Sequence, residues 1–402
     1  MLSYGDTAWL LTATAMVMLM TPAGLALFYG GLSNKKNVIN TVGMSYISFC
    51  IGILVWCIAG YSIAFTGSNG IIGSFDKVLL NGITPESLIG TIPEFLYVAF
   101  QGVFAAIAVA IISGSVIGRI KFKFWIVFSA LWVLLVYSPL VHWIWGDGFM
   151  HNLGELDFAG GTVIHINAGV AGLVLALLLG KRKTTGEPSN KPSSVKLTVL
   201  GSALLWFGWF GFNSGSQLAA DGIAANAFLV TLIAGAAGGV AWLFVETKLK
   251  NHPSLIGLSS GVIAGLVGIT PASGYVDFTG ALVIGLISGL IGYYGVVHMK
   301  KTFNYDDTLD AFGIHGLVGI WGSIATGLFA NPMINEASGL FYGNPSQLIP
   351  QVIAVVVTIL FSAIMTFILY HVTSVLTRGA RIDQKSEQLG LDKSYHQETS
   401  FA

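Results

Sequence analysis

The sequence predicts an all-α polytopic membrane protein of eleven transmembrane helices, with the N-terminus outside and the C-terminus in the cytoplasm. Three observations carry that reading. Of 402 residues, 54% are hydrophobic and only 9% charged, giving a mean hydropathy of +0.76; soluble domains carry about 25% charged residues. Eleven apolar stretches approach the roughly 20 residues that a helix needs to cross about 30 Å of hydrocarbon at about 1.5 Å per residue. The few basic residues collect on one side of the alternation those stretches define. Nineteen Lys and Arg balance nineteen Asp and Glu, so there is no basic surface to hold a nucleic acid.

In chain order, the first stretch, 8–30, follows a flank, Met1–Asp6, without a basic residue. Its apolar run is longer than that of a cleavable signal, so it reads as a span. Lys35 and Lys36 separate it from the second, 41–65. Cys50 and Cys57 lie seven apart there, on one helix face, and read as buried structural thiols outside any disulfide framework. The third stretch, 95–118, ends at Arg119, Lys121 and Lys123, and the fourth is 124–145. The fifth, 160–180, is closed by Lys181, Arg182 and Lys183, and Lys191 and Lys196 flank the start of the short sixth, 195–213. The seventh, 223–247, ends at Lys248 and Lys250, ahead of the short eighth, 254–270. Lys300 and Lys301 follow the ninth, 276–297. The tenth is 312–330, and the eleventh, 348–376, precedes Arg378, Arg381, Lys385 and Lys393. Eleven spans put eighteen of the nineteen basic residues on one face and only Lys77 on the other. The positive-inside rule makes that basic face cytoplasmic. The chain divides into a transmembrane domain, 1–376, and a cytoplasmic tail, 377–402, which by composition alone reads as a polar, mobile end.

An internal repeat marks the middle of the bundle. The fifth span opens with Asp157-Phe-Ala-Gly-Gly-Thr-Val-Ile-His165, and Asp307-Thr-Leu-Asp-Ala-Phe-Gly-Ile-His315 leads into the tenth. Both place seven residues between Asp and His, and Gly four and seven positions beyond the histidine (Gly169, Gly172; Gly319, Gly322). Two halves of five spans carry the element in opposite orientations, because five is odd; the eleventh helix is then an addition. Transporters often use such inverted repeats, with the pathway between the halves. Eight residues are about 12 Å of helix, so His165 and His315 approach the midplane from opposite sides. Intramembrane ionisable groups commonly mark a pathway. Two separate histidines bonded to backbone carbonyls are the plainer alternative. A metal or haem site is another, with only Asp157, Asp307 and Asp310 as further ligands, each about two turns away on its own helix.

A second group of residues falls at the outer ends of spans. Phe100 and Phe104 share a helix face. Trp145 ends the fourth span in His142-Trp-Ile-Trp145, and Phe212 and Ser216 end the sixth. Interfacial tryptophans ordinarily form a belt against headgroups, and Trp143 and Trp209 are assigned to it. The alternative for the others is a cation cage. Aromatic faces attract a small cation by about 0.5–2 kcal/mol each, and a hydroxyl such as that of Ser216 accepts a hydrogen bond.

The segments Pro22-Ala-Gly-Leu-Ala-Leu-Phe-Tyr-Gly-Gly31, Phe100-Gln-Gly-Val-Phe104, Asp157-Phe-Ala-Gly-Gly-Thr-Val-Ile-His-Ile-Asn-Ala168, Gly208-Trp-Phe-Gly-Phe-Asn-Ser-Gly-Ser216, Gly265-Leu-Val-Gly-Ile-Thr-Pro271 and Phe312-Gly-Ile-His-Gly316 resemble those of ammonium transporters, the Amt/Mep/Rh superfamily. The likeness covers nearly the whole chain. It implies transport of ammonium or ammonia, with methylammonium as an analogue, across the cell membrane, by a homotrimer with one pore per subunit and no cofactor or metal. In the family, the residues matching Trp145, Phe100 and Ser216 recruit ammonium. Those matching Phe104 and Phe212 stack as a gate. Those matching His165 and His315 form a hydrogen-bonded pair in an apolar pore, and the one matching Asp157 supports the mouth. Rh proteins typically lack the tryptophan and serine, so the Amt branch is implied. Arg381, Glu387, Gly390-Leu391-Asp392 and His396 are similar to the tail through which family members communicate between subunits and near which a PII-type regulatory protein docks. Here Gln397 follows the histidine where Gly is common. Three readings stay beside electrogenic transport: an electroneutral ammonia or gas channel, an ammonium sensor signalling through the tail, and a membrane enzyme with a histidine metal site.

Overall fold

The computed structural model describes residues 1–183 and 191–400; Phe401 and Ala402 of the expected tail lie outside the described residues. Among the described residues, eleven helical stretches are long and apolar enough to cross a membrane. In order they are Tyr4–Leu32, Lys35–Phe65, Glu94–Val116, Phe122–Asn152, Gly161–Leu179, Val195–Gly215, Gly222–Lys250, Leu255–Ala272, Phe278–Phe303, Phe312–Phe329 and Pro345–Thr377, numbered 1 to 11 below. Each overlaps its predicted stretch, the short sixth and eighth included. Spans 1 and 7 begin earlier than hydropathy indicates, spans 8 and 9 slightly later and span 6 where expected, because polar caps set helix ends. Ser3, Ser194, Asp221, Ser254 and Asp277 each accept a backbone N–H of the first turn of spans 1, 6, 7, 8 and 9.

Among the described residues, six spans contain π-helical turns, and spans 5 and 10 begin on one. Those of spans 1, 5 and 10 are Met20–Leu25, Gly161–Ile166 and Phe312–Gly316. In span 1 the cause is Pro22, which supplies no N–H and cannot keep the regular ladder. Span 3 is the most enclosed of the eleven and packs against span 2 on one side and span 5 on the other.

Spans 5 and 10 cross in opposite directions. Thr162 Oγ1 lies 3.0 Å from Ser323 Oγ; further along, Gly169 meets Gly316, and then Gly172 meets Ala311. One residue number rises as its partner falls, so the two Asp–His elements are inverted. The glycines make the crossing possible. A Cβ at Gly169 would stand 2.4 Å from the Gly316 nitrogen, and one at Gly319 would stand 3.2 Å from His165 Cβ.

The face that carries the basic loops is held together by buried charge. The Arg119 side chain is fully buried and donates to the carbonyls of Gly180 (2.6 Å), Ser115 (2.5 Å) and Asp306 (2.5 Å). Burial alone would raise the Asp306 carboxyl, but Arg182 and Arg119 hold it at about 2.

The tail is docked on this face and is not the mobile end its composition suggested. Arg381 donates to the Leu179 and Lys181 carbonyls and pairs with Glu387 at 2.9 Å; Glu387 in turn accepts from Lys183 N. Asp392 accepts from Asn40 N at 2.9 Å, and His396 lies 3.0 Å from the Asn40 amide and edge-on to Phe122. A short bridge between Ile120 and Arg381 ties the tail to the loop after span 3.

The cysteines also differ from expectation. Cys50 is exposed and Cys57 half-buried. They do lie on one side of span 2, but it is the outward side, with exposed Tyr46, Leu54 and Ile58. Lipid is as apolar as the bundle interior, so an apolar face faces outward at no penalty.

Candidate functional site

Asp157 is the anchor of the site. Its Oδ1 accepts from the N–H groups of Gly160 (2.9 Å) and Gly161 (2.7 Å), and its Oδ2 from Thr162 (2.9 Å) and Val163 (3.1 Å). These are the donors at the start of span 5 that no intrahelical carbonyl satisfies. Burial still leaves the carboxyl above its usual range, against the pull of those four donors. The backbone carbonyl of Asp157 accepts from Trp145 Nε1 at 2.8 Å, so one residue fixes both the helix start and the indole. Asp307 repeats the device at the other face, accepting from Ala311 and Phe312.

Above span 5 opens a vestibule of about 490 Å³, lined by Trp145, Ser216, Tyr97, Gln101, Glu155 and Tyr275 among others. The Ser216 hydroxyl donates to the Phe212 carbonyl at 2.8 Å. Its proton is thereby committed to its own helix, and its lone pairs remain to accept a donor from the cavity.

Beside Trp145 lies a stack of aromatic rings that do not themselves line the vestibule. Phe104 and Phe212 stack with centroids 4.3 Å apart and planes 21° apart, both fully buried. Trp145 meets Phe104 edge-on at 6.2 Å. Phe100, expected at the recruitment site, is fully buried at 4.8 Å from Phe104 and is not part of the vestibule lining. It backs Phe104, in a space left by Gly215, where a Cβ would come within 3.0 Å of its ring.

The histidines come next in the stack. His165 lies 6.1 Å from Phe212 and 5.2 Å from His315, ring centre to ring centre, with both pairs of planes within 24°. The two Nδ1 atoms are 3.2 Å apart. One must carry the shared proton and the other accept it, which sets complementary tautomers. A neutral pair then offers one Nε2–H and one bare Nε2. Beyond Phe212 a void of about 10 Å³ is walled by Met20, Leu25, Phe28, Ile107 and Leu205, and the imidazoles line it too. That is room for about one water-sized sphere. Among the described residues, no three His, Cys, Asp or Glu gather as a metal-binding group.

Three residues here were not expected from sequence. Trp209 is not in an interfacial belt: it is buried, stacks 5.6 Å from His165 and donates to Thr270 Oγ1 at 2.9 Å. Its position three residues before Phe212 puts both on one helix face, a signal the belt reading passed over. Trp143 is likewise buried, donating to the Ile71 carbonyl at 2.6 Å. Glu155 was not singled out, and nothing about a lone glutamate in a loop marks it as buried.

Comparison with known proteins places the chain in a family. The chain matches the Ammonium Transporter Family over residues 8–401. It is 48% identical to an ammonium transporter of Aquifex aeolicus, covering 100% of this chain and 94% of that one. It is 44% identical to ammonium transporter Amt1 of Archaeoglobus fulgidus, over the full length of both. Among solved structures, Saccharomyces cerevisiae Mep2 superposes with a TM-score of 0.89 at 34% identity, over 96% of this chain and 88% of that one. A protein described as a sensor Amt protein superposes at 0.90 with 29% identity, over 97% and 98%. With the family matched over nearly its whole length and eleven apolar helices around a histidine-lined axis, the chain is a multi-pass membrane protein of the ammonium transporter family.

Proposed function

We propose that this chain moves ammonium across the cell membrane as ammonia and a proton, and that it acts as a transporter, not an enzyme. The observation that carries the reading is the ring stack, in which Phe104 lies on Phe212, and Phe212 on His165 of the His165–His315 pair. Ammonium is held in the vestibule by the Trp145 face, the Phe100-backed aromatic floor and the Ser216 lone pairs. Each aromatic face contributes about 0.5–2 kcal/mol. Potassium is drawn to the same faces but donates no hydrogen bond and has no proton to give up. Phe104 and Phe212 act as the gate. Below them an ion that keeps its charge meets apolar walls at a cost of several kcal/mol. Ammonium that leaves its proton at the floor passes as neutral ammonia.

The pair serves both products. Its bare Nε2 accepts a proton or an ammonia N–H. Moving the shared Nδ1 proton across exchanges the tautomers, so a proton taken up on one ring is matched by one released from the other. Net charge therefore moves. Asp157 supports the mouth from behind. The basic face is cytoplasmic, the tail 377–402 is a regulatory element on which a PII-type protein docks, and the working form is a homotrimer. A second reading, an ammonium sensor signalling through the tail, is favoured by one feature, the likeness to the sensor Amt protein.

The test is current on a solid-supported membrane from purified, reconstituted protein. An ammonium pulse is expected to give a transient current, and an equal potassium pulse none. Uptake of methylammonium without any current would support the electroneutral channel instead. Ammonium binding with neither uptake nor current would support the sensor.

A further inference from the structure

Glu155, two residues before Asp157, lines the same vestibule as Trp145 and Ser216. Only 8% of it is exposed, and both carboxyl oxygens are buried without a hydrogen-bond partner. Asp157 gives the contrast, since its two oxygens take four backbone N–H groups. A buried carboxylate with a structural task is paired in that way. The one Lys expected on this face, Lys77, is engaged with Glu94. Burial, with the Asp157 charge nearby, pushes the Glu155 carboxyl well above the usual carboxylate range, against a smaller opposing pull from the Thr162 hydroxyl. That favours the protonated acid, beside a cavity large enough for a small hydrated cation.

We propose that Glu155 is a proton-exchanging cation subsite in the vestibule wall, where a small N–H-donating ammonium cation displaces the carboxyl proton and is held by the carboxylate. The exchange balances: the cation and the carboxylic acid give a carboxylate–ammonium pair and one proton released to vestibule water. No bond to nitrogen changes. When the cation moves inward, the carboxylate takes a proton back from water. A carboxylate offers two acceptor oxygens to the N–H groups.

The groups facing Glu155 are Asp157 on its own loop, Tyr97 of span 3, Tyr275 after span 8, and His151 at the end of span 4. His151 is exposed and 3.7 Å from Asp147; it is the one histidine of the vestibule wall, so its contribution is separated by experiment. Because the cation-bound state holds one proton fewer, binding strengthens as pH rises and levels off once the carboxyl is ionised in the empty site.

This inference rests on the transport reading above. The experiment uses the full chain in liposomes and the half-saturation concentration for methylammonium uptake from pH 5 to 8, a range in which the substrate stays protonated. Wild type and His151→Gln are expected to tighten by about three- to tenfold per pH unit in the acid half of the range. Glu155→Gln is expected to lose that slope while still transporting. In parallel, purified wild-type protein in weak buffer with an indicator dye is mixed with methylammonium at pH 6, where close to one proton per bound cation is expected.

Equal slopes in wild type and Glu155→Gln, or loss of the slope in His151→Gln alone, overturn the proposal. So does cation binding without proton release. If Glu155→Gln does not assemble, the wild-type dye measurement decides by itself. A wild type that takes up no methylammonium overturns the transport reading, and the dye measurement still judges Glu155.

Discussion

Ser216 has spent its proton on the Phe212 carbonyl, so its value to a cation is that of one acceptor. Ser216→Ala is expected to weaken half-saturation by about 0.5–1.5 kcal/mol, roughly two- to tenfold, with little change in maximal uptake. Trp145 supplies a π face and also donates to the Asp157 carbonyl. Trp145→Leu keeps bulk but loses both, so the ammonium current should become more sensitive to competing potassium. Unchanged affinity and competition in both variants would reduce these residues to packing. The histidines behave as one unit because they share a proton between Nδ1 atoms 3.2 Å apart. His165→Ala and His315→Ala are each expected to lower ammonium current sharply or to admit potassium. The double variant should cost far less than the sum of the singles. Wild-type current and selectivity in the double variant would remove the pair from the mechanism. Loss of assembly in either single variant would favour two histidines needed for packing.

The Asp–x7–His repeat was legible at the level of elements because it uses two rigid facts, helical rise and the odd number of spans per half. What it did not reveal was the path of the backbone between aspartate and histidine. Both stretches run through π-helical turns, and no residue pattern in the chain announces a π turn without a proline. The role of the following glycines emerged only from the crossing itself, where Gly169 faces the Gly316 backbone. Gly169→Leu is expected to destabilise the detergent-solubilised protein by at least about 1–3 kcal/mol through overpacking, and to abolish transport without touching a site residue. A thermal unfolding scan beside an uptake assay checks it; a silent variant would mean the crossing is looser than its contacts indicate. On the basic face, Asp306 has a depressed pKa of about 2. Its pairing with Arg182 and Arg119 therefore stabilises the fold above the ordinary carboxylate pKa, and that contribution is lost as pH falls from about 4 toward 2. Asp306→Asn should lower stability at pH 7 and flatten the acid limb of a stability–pH curve measured in detergent.

For the whole molecule, hydropathy located all eleven spans but could not tell inside from outside the bundle. Cys50, Cys57 and Trp209 show the limit: each lies on an apolar face, two turn outward and one toward the axis. Charge carried the information that hydropathy lacked. Arg119, Arg182 and Arg381 all converge on the face where the tail docks, as the alternation of basic loops requires. Which side of the membrane that face meets follows from the positive-inside rule, and it is open to direct test. Single cysteines in a background with Cys50→Ser and Cys57→Ser provide the probes. Glu86 and Asp147 are exposed on the face opposite the basic loops, and Lys183 and Lys393 are exposed on the basic face. Asp147 is preferred to its neighbour Gly148, where a Cβ would stand 2.5 Å from the His142 carbonyl oxygen. A membrane-impermeant maleimide on intact cells is expected to modify cysteine at 86 and 147 at once, and cysteine at 183 and 393 only after the membrane is opened. Labelling of 183 in intact cells would invert the protein. The vestibule with Trp145, Ser216 and Glu155 would then open to the cytoplasm, and the same geometry would describe a route for ammonium leaving the cell.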